Sequence, residues 1–212
     1  MSPTGRPKGE SRRAQHGGSS AQSRSQGFTL VELMVTIALL GTLLALAAPA
    51  FGDWIRGARV RTIADALQTG ARLAQAEAVR FNRQVVFFLT NDSTCSAATA
   101  AAANGNFWAI RTIGLTAGDP VRTVQCGTLA DSAPGVSISG PTAICFNSAG
   151  RQTINAAPGA GGATCVLPPT GRSIYDVTAS GARPLRVQIS LGGQVRQCDP
   201  ARTLSAAAPD GC

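Results

Sequence analysis

This 212-residue sequence has almost no histidine or lysine: His16 and Lys8 are the only examples, and both lie in the first 16 residues. A Ser/His or Cys/His nucleophilic arrangement needs an imidazole as its base, and a mixed Cys/His zinc site needs one as a ligand. The sequence also contains no CxxC motif, and its carboxylates show no paired motif. These absences predict a protein that is not an enzyme and that holds no metal or cofactor.

Long hydrophobic runs are also scarce, because residues 28–48 form the only one, with Glu32 as its one charge. A helix of this length spans roughly 30 Å, the thickness of the hydrocarbon core of a bilayer. The polar residues before it contain five basic side chains and one acidic side chain, a net charge of +4. This positive segment predicts a cytoplasmic N-terminus, with the rest of the chain across the membrane.

A cleaved signal peptide and a plain signal anchor are two alternative interpretations of this apolar segment. The run exceeds the usual 7–15 apolar residues of a signal peptide. A signal anchor would explain the length and the orientation. Neither alternative gives Glu32 a role, although a charge at membrane depth costs about 2.5 kcal/mol or more.

The motif GFTLVE at residues 27–32 resembles the processing site of type IV pilins and pseudopilins. The resemblance implies that a prepilin peptidase cleaves between Gly27 and Phe28 and then N-methylates Phe28. It also implies that Glu32 is an assembly contact, whose carboxylate pairs with the terminal amine of a neighbouring subunit. Such a pair would make a carboxylate tolerable in hydrocarbon. Residues 1–27 would then be a leader that the mature protein lacks.

Residues 49–82 predict an amphipathic continuation of the helix, because apolar side chains recur mostly at steps of three and four. Pro49 removes one backbone hydrogen bond and predicts a kink. Residues 71–86, ARLAQAEAVRFNRQVV, resemble the end-of-helix segment of the GspH/FimT family of minor pseudopilins. Trp54 either lies at the membrane interface or packs the helix on the rest of the protein, whereas Trp108 is expected in the core.

From residue 83 onward, which we call the head, the pattern changes to short β-like runs separated by turn residues. The predicted strands are residues 84–90, 107–113, 121–125, 135–139, 143–147, 174–178, 185–191 and 194–198. Antiparallel pairing is expected because no crossover helix separates them. Gly192 and Gly193 predict a tight hairpin, and residues 91–106 predict a mobile loop. The expected fold class is α+β: a pilin-like fold with a long, kinked N-terminal helix, transmembrane in its first half, packed on an antiparallel sheet.

All six cysteines follow the apolar segment. An even number of cysteines in a segment delivered outside the cytoplasm favours disulfides over buried free thiols. Cys198 and Cys212 are the closest pair in sequence and the first choice for a bond. The sequence leaves the remaining connectivity open.

Every basic residue after residue 27 is an arginine, which favours bidentate contacts with phosphate. Some DNA-uptake members of the family carry a Gly-Arg-x-Arg motif beside a C-terminal hairpin. The matching stretch here is GQVR at residues 193–196, in which Gln194 replaces the first arginine. The candidate DNA contacts are Arg183, Arg186, Gln194, Arg196 and Arg202. The alternative is a solvated, charged strand edge that resists aggregation.

The sequence is thus identified as a minor pilin or pseudopilin of the GspH/FimT type. It is expected to be a single-pass inner-membrane protein with a periplasmic head that later primes or decorates a type IV pilus or a type II secretion pseudopilus. Its expected partners are other pilins or pseudopilins, the prepilin peptidase, an inner-membrane assembly platform and, before assembly, the lipid bilayer. A DNA-binding minor pilin for DNA uptake is the alternative function, with DNA as a further partner.

Intact-mass measurement of the protein extracted from membranes tests the processing site. We expect a mature chain that begins at Phe28 and carries one added methyl group, because the motif at residues 27–32 is complete. A mature chain that begins at any other residue would contradict this assignment.

Overall fold

The computed structural model describes residues 27–96, 98–114, 119–129, 133–155 and 163–212, without the side chain of Pro49. The predicted leader therefore lies outside the described residues, except for Gly27. The chain forms two compact units, Met1–Leu44 and Ala45–Cys212. One helix, α1 (Leu30–Phe81), contributes residues to both units. Helix α1 continues through Pro49, and the kink there stays a prediction.

The described residues after α1 contain nine β-strands, which form two antiparallel sheets. The strands are β1 (Val85–Thr90), β2 (Phe107–Thr112), β3 (Thr123–Thr128), β4 (Val136–Ser139), β5 (Ala143–Phe146), β6 (Gln152–Thr153), β7 (Arg172–Ala179), β8 (Leu185–Ser190) and β9 (Val195–Cys198). The first sheet has the order β3-β2-β1-β5-β6, and the second has the order β4-β7-β8-β9. Each predicted strand is present with shifted ends. Strand β6 was missed because two residues are too few to show an alternating pattern.

The core of the second unit lies between α1 and the inner faces of both sheets. Buried residues of α1 recur at steps of three and four, which confirms the amphipathic pattern; they are Val60, Ile63, Ala64, Leu67, Ala71, Ala74 and Ala78. Phe87 of β1 lies at the centre, with its ring centroid 5.9 Å from that of Trp108 and 6.2 Å from that of Tyr175. Trp108 is buried, as expected. The predicted α+β fold class is confirmed.

A smaller apolar cluster covers the outer face of the first sheet, around Phe88 and Cys145. The loop between β1 and β2 covers this cluster, and hydrogen bonds that the sequence did not predict hold the loop in place. Arg111, fully buried in β2, donates hydrogen bonds to the carbonyl oxygens of Ser96 and Thr99. Thr99 in turn donates to the carboxylate of Asp92 at 2.6 Å. The described part of the predicted mobile loop thus has fixed partners in the sheet.

The six cysteines form three disulfides: Cys95–Cys126, Cys145–Cys165 and Cys198–Cys212. The third is the pair that the sequence favoured. The first two attach loops to the outer face of the first sheet, and the third closes the C-terminal segment onto the end of β9. Each bond restricts the unfolded chain and thereby stabilises a head that is rich in loops.

The β8–β9 hairpin packs closely against α1 and against the turn that follows β5. Gly193 has a φ of 89°. An added Cβ at this position would lie 2.1 Å from the carbonyl oxygen of Gly150 and 2.2 Å from Nε2 of Gln75. Gln75 donates a hydrogen bond to that same carbonyl at 2.9 Å. Three parts of the fold, the helix and both sheets, therefore meet at Gly193.

Substitution Gly193→Ala should lower the free energy of unfolding by about 2 kcal/mol or more, since it adds a Cβ to a left-handed backbone and to a filled space. Gly192→Ala is the matched control, because its Cβ would lie 3.7 Å from the nearest atom, Oγ of Ser190. Denaturant unfolding of the full chain in detergent micelles, followed by Trp fluorescence, measures both. Equal losses in the two variants would contradict the proposed packing.

Candidate functional site

The segment around the predicted cleavage site leads directly into the first turn of α1. Gly27 and Phe28 lie outside the helix, and the side chain of Phe28 is 83% exposed. Thr29 caps the helix: its Oγ1 accepts a hydrogen bond from the backbone N–H of Glu32 at 3.2 Å, and its carbonyl accepts one from Leu33 at 3.1 Å. The peptide bond between Gly27 and Phe28 is therefore separate from the hydrogen bonds that start the helix.

Glu32 occupies the first turn of α1, two residues after the helix begins. The N-terminal end of a helix carries a partial positive charge, which favours a carboxylate at this position. Thr29 and Glu32 also have the spacing of a capping box. The position thus accounts locally for an acidic residue here, and a role in assembly is a separate proposal that the fold of one chain does not address.

The apolar part of α1 is exposed along its whole length. Leu30–Ala48 comprises 19 residues with a mean hydropathy of 2.3, and none of it is buried within the protein. By length and composition it is able to cross a membrane. Further along, Trp54 remains 68% exposed and stacks on Phe51 at a centroid distance of 5.8 Å. Trp54 also lines a cleft together with Arg183 and Leu185 of the head, so both interpretations of Trp54 stay predictions.

Three of the candidate DNA-binding arginines are engaged with carboxylates. Arg183 contacts Asp199 at 2.5 Å and also pairs with Asp210. Arg202 lies 3.3 Å from Asp210. Arg186 makes a two-point contact with Asp176, and its N–O distances are 2.6 and 3.1 Å. Each of these guanidinium charges is largely neutralised within the protein.

Of the other two candidates, Gln194 lies in the turn between β8 and β9, and Arg196 lies on β9. Arg196 donates hydrogen bonds to the carbonyl oxygens of Pro209 at 3.2 Å and Gly211 at 2.7 Å. Gln194 donates its backbone N–H to Oγ of Ser190 at 3.1 Å. The structure therefore separates the predicted group into three ion-paired arginines and two residues held mainly by neutral atoms.

Asp199 and Asp210 form an acidic pair that the sequence did not predict. The pKa of Asp199 lies below its usual value because the backbone N–H of Ala201 and the side chain of Arg183 donate hydrogen bonds to its carboxylate. Hydrogen bonds from Arg183 and Arg202 likewise lower the pKa of Asp210. The signal was indirect: Asp199 follows Cys198 and Asp210 precedes Cys212 by two residues. A bond between those cysteines brings the two carboxylates together.

The described residues contain no group of three or more His, Cys, Asp or Glu side chains that could hold a metal ion. Two surface clefts of the second unit are lined mainly by arginine, glutamine and aspartate side chains. These side chains suit contact with a charged partner.

Two family models match the chain. The one described as the prokaryotic N-terminal methylation motif matches residues 22–48, and the one described as type II transport protein GspH matches residues 64–193. A fimbrial protein of Moraxella nonliquefaciens is 51% identical over 47 residues, which are 21% of this chain. The match covers 30% of the length of that relative.

Solved structures of three similar proteins share 14% sequence identity with this chain. The type IV minor pilin FimU of Pseudomonas aeruginosa matches over 72% of this chain and 94% of its own, with a TM-score of 0.44. The minor pseudopilin EpsH of the Vibrio cholerae type 2 secretion system matches over 68% and 99%, with a TM-score of 0.43. GspH of E. coli matches over 71% and 95%, with a TM-score of 0.42.

The DNA-binding alternative finds no support in these comparisons. The arrangement of the arginines does not favour it either, since Arg183, Arg186 and Arg202 are paired with carboxylates.

Acid unfolding tests the role of the pair of Asp199 and Asp210. Because both carboxylates have lowered pKa values in the folded state, their stabilisation is present above about pH 4 and is lost as the pH falls through the folded values. Asp199→Asn should lower stability at neutral pH and flatten its decline below about pH 4.

Asp65→Asn is the matched control, since Asp65 lies on the exposed face of α1. It should leave the acid-dependent part of the curve unchanged. Denaturant midpoints of both full-length variants across a pH series measure the effect. Parallel curves for Asp199→Asn and the wild type would contradict the assignment.

Proposed function

Because this chain belongs to the family of type II transport protein GspH and is therefore a minor pilin or pseudopilin subunit, we propose that its N-terminal helix inserts into a type IV pilus or a type II secretion pseudopilus. There it primes or decorates the filament. The family is one of structural subunits, and the absence of an enzymatic activity stays a prediction. One observation carries the proposal: an exposed apolar helix with a single carboxylate in its first turn follows directly on a cleavage motif.

Before assembly, the apolar segment anchors the protein in a membrane. We place the N-terminus in the cytoplasm because the leader carries a net charge of +4, from five basic residues and one acidic residue. The head then lies in the periplasm. Three disulfides in the head support this orientation, since such bonds form and persist in an oxidising compartment.

Processing by a prepilin peptidase would remove residues 1–27 and leave Phe28 as a methylated N-terminus. Two observations support cleavage at this bond. Gly27 and Phe28 lie outside α1, so their backbone does not have to leave a helix to enter a peptidase. The cap supplied by Thr29 remains in the product and keeps the first turn intact after the cut.

After cleavage, residues 28–48 would pass from the bilayer to the filament core. Glu32 would then pair with the terminal amine of a neighbouring subunit, which offsets the cost of placing its charge among apolar side chains. Residues 49–82 join this segment to the head, residues 83–212, which faces the outside of the filament. The kink at Pro49 would set the direction of the head relative to the core.

Substitution Glu32→Gln removes the charge and keeps the size of the side chain, so it should leave membrane insertion and cleavage intact while it blocks assembly. We expect the variant to be processed normally. Its amount in the sheared filament fraction should fall at least about tenfold, because a charge pair is lost. Quantitative immunoblotting of membrane and filament fractions measures both steps.

Glu77→Gln is the control for a change of the same chemistry elsewhere on α1, where Glu77 contacts Arg80 at 2.6 Å. It should enter filaments at the level of the wild type. Normal assembly of Glu32→Gln would show that the carboxylate is not an assembly contact. A deletion strain scored for twitching and for secretion then distinguishes a pilus from a secretion pseudopilus.

A further inference from the structure

A cleft of about 200 Å³ opens on the outer face of the second sheet, and each of its described lining residues can donate hydrogen bonds. The lining residues are Arg172, Gln188, Ser190, Gln194 and Arg196. Three neighbouring strands bring them together: Arg172 of β7 lies opposite Ser190 of β8, and Gln188 of β8 lies opposite Arg196 at β9. Residues that face one another across a sheet share one surface, so both guanidinium groups border the same space.

The buried glutamine in this cleft is oriented by its neighbour. Nη1 of Arg172 donates to Oε1 of Gln188 at 2.9 Å. An arginine has no acceptor, so the atom that faces it has to be the oxygen, and the amide N–H₂ group of Gln188 remains available as a donor. Gln188 is only 8% exposed, which fixes this orientation in the floor of the cleft.

The hydroxyl of Ser190 is also left as a donor. Its oxygen accepts the backbone N–H of Gln194 at 3.1 Å, and the O–H bond can then point elsewhere. None of the described residues that line the cleft carries a carboxylate. Within the described residues, neither Arg172 nor Arg196 belongs to an ion pair, in contrast to Arg183, Arg186 and Arg202.

We propose that this cleft binds the carboxylate of an acidic side chain on a partner polypeptide. Two guanidinium groups on either side of a neutral donor suit a planar oxyanion, which accepts a bidentate contact. Gln188 contributes a hydrogen bond without a charge, and Ser190 contributes another. That the partner is a neighbouring filament subunit rests on the function proposed above, whereas the carboxylate specificity rests on the cleft itself.

The surroundings of the cleft favour a single carboxylate over a polyanion such as nucleic acid. Asp176 lies on the same face, two residues from Ile174, which pairs with Gln188. Arg186 neutralises Asp176, and Asp199, which directly follows β9, pairs with Arg183. Further phosphates of a polyanion would meet these carboxylates, but an acidic side chain flanked by neutral residues would not. The positive field is therefore local to the cleft.

Binding of short peptides to the full chain in detergent micelles tests the proposal, and it requires no filament. A glutamate peptide is compared with a glutamine peptide of the same length by isothermal titration at low ionic strength, where screening is weakest. We expect the glutamate peptide to bind at least about tenfold more tightly, which corresponds to one charge-assisted contact. Equal affinities would overturn the proposal.

Three variants assign the binding to the cleft. The double variant Arg172→Gln/Arg196→Gln should lower the affinity for the glutamate peptide by about tenfold or more. Arg172→Gln alone should cause a smaller loss of affinity, and it leaves the contacts of the C-terminal loop unchanged. Arg202→Gln removes one positive charge, as Arg172→Gln does, but Arg202 lies outside the cleft. It should therefore alter the affinity by less than about twofold. Equal losses in Arg172→Gln and Arg202→Gln would overturn the assignment.

Two further probes distinguish other sources of an oxyanion. Inorganic phosphate that displaces the peptide at equal concentration would show a site for a free anion and overturn the polypeptide partner. Duplex DNA that binds more tightly than the glutamate peptide, with the same loss in Arg172→Gln, would show a nucleic-acid site and overturn the proposal as well. Normal filament entry without peptide binding would reject the cleft and leave the proposed assembly function standing.

Discussion

The head of this protein depends on one buried stripe of α1 that both sheets share as their packing surface. The stripe combines three larger aliphatic side chains, Val60, Ile63 and Leu67, with four alanines at positions 64, 71, 74 and 78, and all of these residues have no exposed surface. Gly70 extends the pattern, because a Cβ there would lie 2.7 Å from the ring of Phe87. Small residues thus let the aromatic cluster approach the helix axis, and burial of that cluster supplies the main stabilisation of the second unit.

The same helix explains why the chain has two kinds of hydrophobic surface. One face of its second half, the stripe from Val60 to Ala78, is covered by strands of its own chain, whereas Leu30–Ala48 has no cover among the described residues. An exposed apolar segment of this length needs a lipid or protein environment outside the chain. The family to which the chain belongs is one of structural subunits, and the family motif indicates membrane anchoring before assembly.

The helix and strands were predictable because their signals are local. Apolar periodicity indicates α1, and the turn residues Gly192 and Gly193 indicate the end of β8 and the start of β9. Features that depend on contacts across the sheets were not predictable in this way. Arg111 looks like any exposed strand arginine in sequence, yet it is buried and organises the β1–β2 loop through the carbonyls of Ser96 and Thr99. The carboxylate pair likewise emerges only when Cys198 and Cys212 are joined.

That C-terminal disulfide also determines how charge is distributed over the second sheet. The disulfide fixes the last segment against β9, where Asp199 and Asp210 pair with Arg183 and Arg202. These pairs neutralise two arginine charges at one end of the sheet. The same disulfide presents Arg196 only with the carbonyl oxygens of Pro209 and Gly211, which orient the guanidinium without neutralising it. A single covalent link therefore neutralises one group of arginines and preserves the charge of another. The selectivity of the cleft beside Arg196 follows from this contrast rather than from the number of arginines in the sequence.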